Sequence, residues 1–139
     1  MKNQGSPEEW LRMAKSNLEL AKVGRFSEYI LYEDLCFLCQ QSVEKALKGL
    51  LINFGVGFPF THSINAIVNL FKEICIDIPD FVTNSASLTI YAVDTRYPPE
   101  EEPVSEEEYK IALDIAGKVY DWVKDILNDL QEKVGVLNG

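Results

Sequence analysis

Few side chains in this sequence have both the type and the placement to do chemistry. Arg96 stands before Tyr97, Pro98 and Pro99. A guanidinium suits bidentate phosphate recognition, and the neighbouring prolines restrain the loop that carries it. The same cation can instead pair with Asp94 or Glu100–Glu102 and pin that loop. Tyr97 can stack on a base or donate to a phosphate, or pack its ring on the fold and leave its hydroxyl in water. His62, the single histidine, sits where a helix should begin. Free backbone N–H groups there favour anions. A capping or core-edge hydrogen bond is the other reading. Gln41, Glu44, Lys45 and Lys48 fall at helical spacing on one polar face. That face is expected to be solvated, or, if it meets the Arg96 loop, to wall a small polar cleft. Gln40 and Gln41 can bridge helices or simply end the apolar stripe.

Several chemistries are disfavoured. Neither standard glycine-rich phosphate loop is present. A metal site lacks a second histidine and carboxylates at ligand spacing. Cys36 and Cys39 have the C-x-x-C spacing but lie in an apolar helical run, so they read as packing residues. With Cys75 the cysteine count is odd, which argues against a secreted disulfide framework. No nucleophile–base pair is evident.

These groups need helices to position them. Ser6-Pro7-Glu8-Glu9 is a capping box with proline in the first turn. Trp10, Ala14, Leu18 and Ala21 then repeat at helical spacing, up to Gly24. The next stripe is Tyr32, Leu35, Cys36, Cys39, Val43, Ala46, Leu47, Leu50 and Phe54. It predicts a long helix over 27–54, stopped by Gly55 and Gly57. Thr61 or Ser63 caps a third helix that turns Ile64, Ile67, Val68, Phe71 and Ile74 inward. Residues 80–93 are ambiguous, because Thr89, Ile90 and Val93 are β-branched. Helix is favoured, since no strand partner exists. A proline-rich acidic loop follows over 96–104. Ser105-Glu106-Glu107-Glu108 is a second capping box. It opens a helix over 105–131 that carries Tyr109, Ala112, Ala116, Val119, Val123, Ile126 and Leu130 inward and frays after Gln131. The expected fold is all-α, an up-and-down antiparallel bundle of four to five helices in one domain, 1–139, with its core at about 7–131.

Composition agrees with a globular domain: 139 residues, 47% hydrophobic and 25% charged. The net charge of −9 disfavours general attachment to nucleic acid or an anionic membrane. No signal peptide is expected from Met1–Glu9. The stretch from Gly49 to Phe71 carries no formal charge with His62 neutral, but its glycines, Pro59 and polar side chains argue against a membrane span. The expected location is cytoplasmic.

Read together, Gln40-Gln41-Ser42-Val43-Glu44-Lys45-Ala46-Leu47-Lys48, then Thr61-His62-Ser63-Ile64, then Thr95-Arg96-Tyr97-Pro98 resemble the HEPN family (higher eukaryotes and prokaryotes nucleotide-binding domain). Trp10-Leu11 with Ala14, Leu18 and Ala21 fits its first helix, and the likeness covers roughly Pro7 to Asp129. The resemblance implies a helical bundle that commonly forms homodimers. It further implies a minimal nucleotidyltransferase encoded alongside, often as the other half of a toxin–antitoxin pair. The family is also similar to the helical half of some antibiotic nucleotidyltransferases. Some members are proposed to bind nucleotides. Others are metal-independent ribonucleases with an Arg, four to six variable residues, then His, on or near the last helix.

This chain departs from the ribonuclease pattern, because no histidine follows Arg96. Such an enzyme needs a base for the 2′-hydroxyl and a cation for the phosphorane. The expectation is therefore a non-catalytic module that binds a nucleotide or a partner, with Arg96, Tyr97, His62, Lys45 and Lys48 as ligand-binding residues. No metal and no cofactor beyond a nucleotide ligand are expected. The alternatives are a ribonuclease toxin in which Arg96 meets a displaced His62, and a purely structural oligomerisation bundle.

Overall fold

The structure is a computed structural model and describes residues 3–93 and 102–138. The first helix, α1, spans Pro7–Val23, with the Ser6 side chain accepting from the Glu9 N–H and Gly24 closing it at φ 75°. The second, α2, spans Tyr32–Asn53, and α3 spans Ile64–Glu73 under a Ser63 cap. Then come a short α4 (Asp80–Asn84), a 3₁₀ turn (Ser85–Thr89) and α5 (Ile90–Val93). The last helix, α6, runs over Glu106–Asn138. There is no strand among the described residues. The β-branched segment is helical after all. Thr89 turns its hydroxyl to accept from the Ile64 N–H at 3.2 Å, tying the 3₁₀ turn to the start of α3.

Two boundaries differ from expectation. The long helix begins at Tyr32, not near Ser27. The intervening residues form a competing local turn: Ser27 accepts from Tyr29 and Ile30, and Arg25 donates to the Glu28 carbonyl at 2.7 Å. At the other end α6 continues past Gln131 to Asn138, because no proline stops it.

The hydrogen bonds give the topology. Ser42 donates to the Ala14 carbonyl and, further along α2, Gly49 lies against Trp10 and Pro7 near the start of α1, so α1 and α2 run antiparallel. Tyr109 on α6 reaches the Ala21 carbonyl, and Gln131 reaches Glu8, so α6 is antiparallel to α1. The Tyr32 and Tyr109 rings stack at 5.3 Å. Helix α2 is the axis of the bundle and packs on α1, α3, the 3₁₀ turn, α5 and α6. Its second half, Ser42 to Leu51, is buried almost all round, with Lys45 half-buried.

Both α2 and α3 end in the same way. The residue after the cap is left-handed, and the next N–H returns to the last turn, from Val56 to Leu51 and from Ile76 to Phe71. In α2 the left-handed residue is Gly55 at φ 74°; in α3 it is Cys75 at φ 61°. Cys36 and Cys39 are buried, as expected, and Cys75 is exposed. Burial, helped by the neighbouring Cys36, pushes the Cys39 thiol up to about 12. It packs as a small hydrophobe. Ile74, expected inward, is partly exposed, because α3 has already ended at Glu73.

Gly49 sets how closely α1 approaches α2. A Cβ there would lie 2.9 Å from the Trp10 Cβ and 3.2 Å from the Pro7 carbonyl oxygen. Alanine usually stabilises a helix interior relative to glycine by about 1 kcal/mol. Here Gly49→Ala should instead destabilise by about 1–3 kcal/mol, the usual size of overpacking. Urea denaturation checks this, and an unchanged or higher midpoint would refute the close approach.

Candidate functional site

The polar centre of the fold is a row on α2. Gln40, Glu44 and Lys48 are spaced one turn apart and lie on one face. All three are buried, with side-chain exposures of 5% for Glu44 and 8% for Lys48. This corrects the expectation of a solvated face for Glu44 and Lys48, whereas Gln41 and Lys45 of the same face are half-buried. The second half of α2 is enclosed by its neighbours, and the loop between α2 and α3 folds over this side.

Glu44 is the hub. One carboxylate oxygen accepts from the Lys48 ammonium at 3.0 Å. The other meets His62 Nδ1 at 2.9 Å and the Gln40 amide at 3.1 Å. Burial pushes this carboxyl up, but the hydrogen bonds from His62, Lys48 and Gln40 outweigh it and hold it below its ordinary value of 4.5. Glu44 is therefore an anion at neutral pH.

Its donors also grip the loop. The Gln40 amide donates to the His62 carbonyl at 3.0 Å, and Lys48 to the Thr61 carbonyl at 3.1 Å. The Thr61 hydroxyl accepts from the Ser63 N–H at 3.0 Å, and the Ser63 hydroxyl caps α3 through the Ala66 N–H. Gln41 donates to the Gln40 side-chain oxygen, which fixes the amide orientation. On the other side of Lys48 stand two rings, Phe58 at 5.0 Å and Trp10 at 5.9 Å, packed edge to face on one another. Gln4 braces both: its backbone carbonyl accepts from the Trp10 indole, and its side chain pairs with both backbone groups of Phe58.

His62 is held from within and open from without. Its side chain is 50% exposed. Phe60 lies beside it, ring centroids 6.0 Å apart, and is fully exposed. Lys45, half-buried, turns the other way and donates to Asn17 on α1 at 2.8 Å. Arg96 and Tyr97 lie outside the described residues. The structure thus brings His62 and Lys48 together and sets Lys45 apart. Gln4, Trp10, Phe58 and Phe60 are not among the site residues singled out from the sequence, which places Gln41 rather than Gln40 on the face of Glu44 and Lys48; the one-turn spacing of Gln40, Glu44 and Lys48 is the signal that marks the row. No group of three or more metal-ligating side chains exists among the described residues, and none of their helices is long and apolar enough to cross a membrane.

Fold and site together define an all-α bundle built on a histidine anchored by a buried carboxylate. Residues 7–126 match the HEPN domain family, and the chain belongs to it. A solved archaeal HEPN homologue, ST0689, is 29% identical with a TM-score of 0.70, over 88% of this chain and 98% of that one. TT1696 from Thermus thermophilus is 31% identical with a TM-score of 0.73, over 86% and 96%. No curated protein matches.

Removing the hub charge leaves Lys48 buried without its counter-ion. Glu44→Gln should lose about 3 kcal/mol or more at pH 7. Because the native Glu44 value lies below the ordinary 4.5, its contribution is complete above that pH and disappears as pH falls through the native value. The stability gap between wild type and Glu44→Gln should therefore narrow from pH 5 to pH 3. Denaturant titrations across that range measure it, and a pH-independent gap would contradict the assignment.

Proposed function

We propose that this HEPN domain is a binding module that takes a nucleotide at the open face of His62. The observation that carries this reading is a half-exposed imidazole fixed from behind by an ionised, buried carboxylate. In this reading Arg96 contacts phosphate and Tyr97 packs on the ligand. Lys48 sets the Thr61–His62 backbone, and Lys45 is the more accessible of the two α2 lysines. The module acts as a homodimer in the cytoplasm, beside a minimal nucleotidyltransferase in a two-gene toxin–antitoxin pair. No metal is required.

One observation favours a second reading. A carboxylate–histidine pair with an open outer nitrogen is also the arrangement of a general base, so a ribonuclease using His62 and Arg96 is the competing proposal. Against it stands the missing Arg-x4-6-His spacing.

Calorimetric titration of ATP and GTP into the purified chain tests the binding reading. Saturable heat that weakens at least about tenfold in Arg96→Ala is expected, the size of one charge-assisted contact. A folded chain that binds neither nucleotide refutes it. RNA should stay intact in chelator; cleavage lost in both His62→Ala and Arg96→Ala would put the ribonuclease in its place.

A further inference from the structure

We infer that the face formed by Phe60 and His62 recognises the base of an amino-purine nucleotide, not its phosphates. This rests on the nucleotide reading above and assigns the part of the ligand that the described residues contact.

The first argument is the tautomer. An ionised carboxylate only accepts hydrogen bonds. With Glu44 in that state, His62 Nδ1 must carry the proton and donate across the 2.9 Å contact. In the neutral ring Nε2 is then an acceptor. It has no hydrogen-bond partner among the described residues, on a side chain that is half in water. The ring is also prepared for a ligand, because the His62 and Thr61 carbonyls are tied to Gln40 and Lys48 on a central helix. An acceptor in a fixed place asks for an N–H donor, such as an exocyclic amine.

The second argument is Phe60. Among the described residues its ring is fully exposed, and it stands 6.0 Å from the imidazole. An open aromatic face next to a hydrogen-bond acceptor is a stacking platform for a base. A purine offers more ring area than a pyrimidine.

The third argument is charge. The lysine of this cluster, Lys48, is neutralised by Glu44 and roofed by Trp10 and Phe58. The Lys48–Glu44 pair carries no net charge, in a chain of net charge −9. That field does not attract phosphate.

Two measurements test this on the full chain. His62 is the single histidine, so its ¹⁵N-labelled ring gives one unambiguous pair of signals. At pH 8 the expected pattern is protonated Nδ1 and unprotonated Nε2; the opposite tautomer, or an even mixture, overturns the proposal. The second is calorimetry with adenosine, purine riboside and inorganic tripolyphosphate. Adenosine should bind without phosphates, and purine riboside, which lacks the amine, about fivefold to tenfold more weakly. Phe60→Ala should weaken adenosine about fivefold or more, the usual size of a lost base stack. His62→Ala should abolish the preference for adenosine over purine riboside. ATP binding that survives both substitutions and is displaced by tripolyphosphate overturns the base contact while leaving nucleotide binding intact. Absence of ATP binding removes both. A change of sedimenting species in Phe60→Ala with unchanged adenosine affinity would make Phe60 a subunit contact instead, and also overturns the proposal.

Discussion

A carboxylate cannot stay ionised inside a helical bundle unless its oxygens are met by donors. That requirement, imposed by Glu44, organises the centre of this protein. Moving a carboxylate and an ammonium out of water carries an effective penalty of several kcal/mol each. It is offset here by the 3.0 Å contact to Lys48 and by two more donors, Gln40 and His62. Those donors come from two places, the helix itself and the loop that follows it. The loop must therefore lie where His62 can reach Glu44, and the carbonyls of Thr61 and His62 fall within range of Lys48 and Gln40. The start of α3 is set by the same contacts, since Ser63 caps it one residue after the anchored histidine.

Close helix packing is what makes the charge buried. Gly49 allows α1 to approach α2 near Trp10, and Ala14, Leu18 and Ala21 present a narrow surface along the same seam. With α1 so near, the Trp10 ring stands 5.9 Å from the Lys48 ammonium and meets Phe58 from the loop. The ammonium then has a carboxylate in front, a carbonyl at its side and two aromatic faces above. Placing a larger residue at 49 would push away the helix that supplies half of that roof.

Much of this fold is legible in the residues. The Ser6 and Ser63 caps, the stop at Gly55 and the apolar stripes of α1, α2 and α3 follow from local rules that depend on near neighbours in the chain. The site was only half legible. Periodicity sorts a helix into an apolar side and a polar side, so it assigns Glu44 and Lys48 to water. It does not register a loop folding over the polar side, and that loop decides their burial. The one-turn repeat of Gln40, Glu44 and Lys48 is a local signal, but it looks the same on an exposed helix, where such pairs are common and weak. Likewise Gln4, Phe58 and Phe60 lie in irregular segments, where no periodic pattern marks a contact. Cys75 is a plainer case: a Schellman turn asks for glycine, and its place after α3 is hidden by a residue that rarely takes φ 61°.

Stability alone does not explain why charge sits at the centre. Well-packed apolar residues of similar volume often hold a core as firmly as a buried ion pair, or more so. A leucine and a methionine in place of Glu44 and Lys48 would still join α2 to its neighbours. They could not accept the Nδ1 proton of His62, nor tie the Thr61 and His62 carbonyls to the helix. What an apolar pair could not supply is orientation: one ring nitrogen held inward as a donor, the other left open beside Phe60. The geometry lost with the ion pair is therefore the geometry of the outward face of His62.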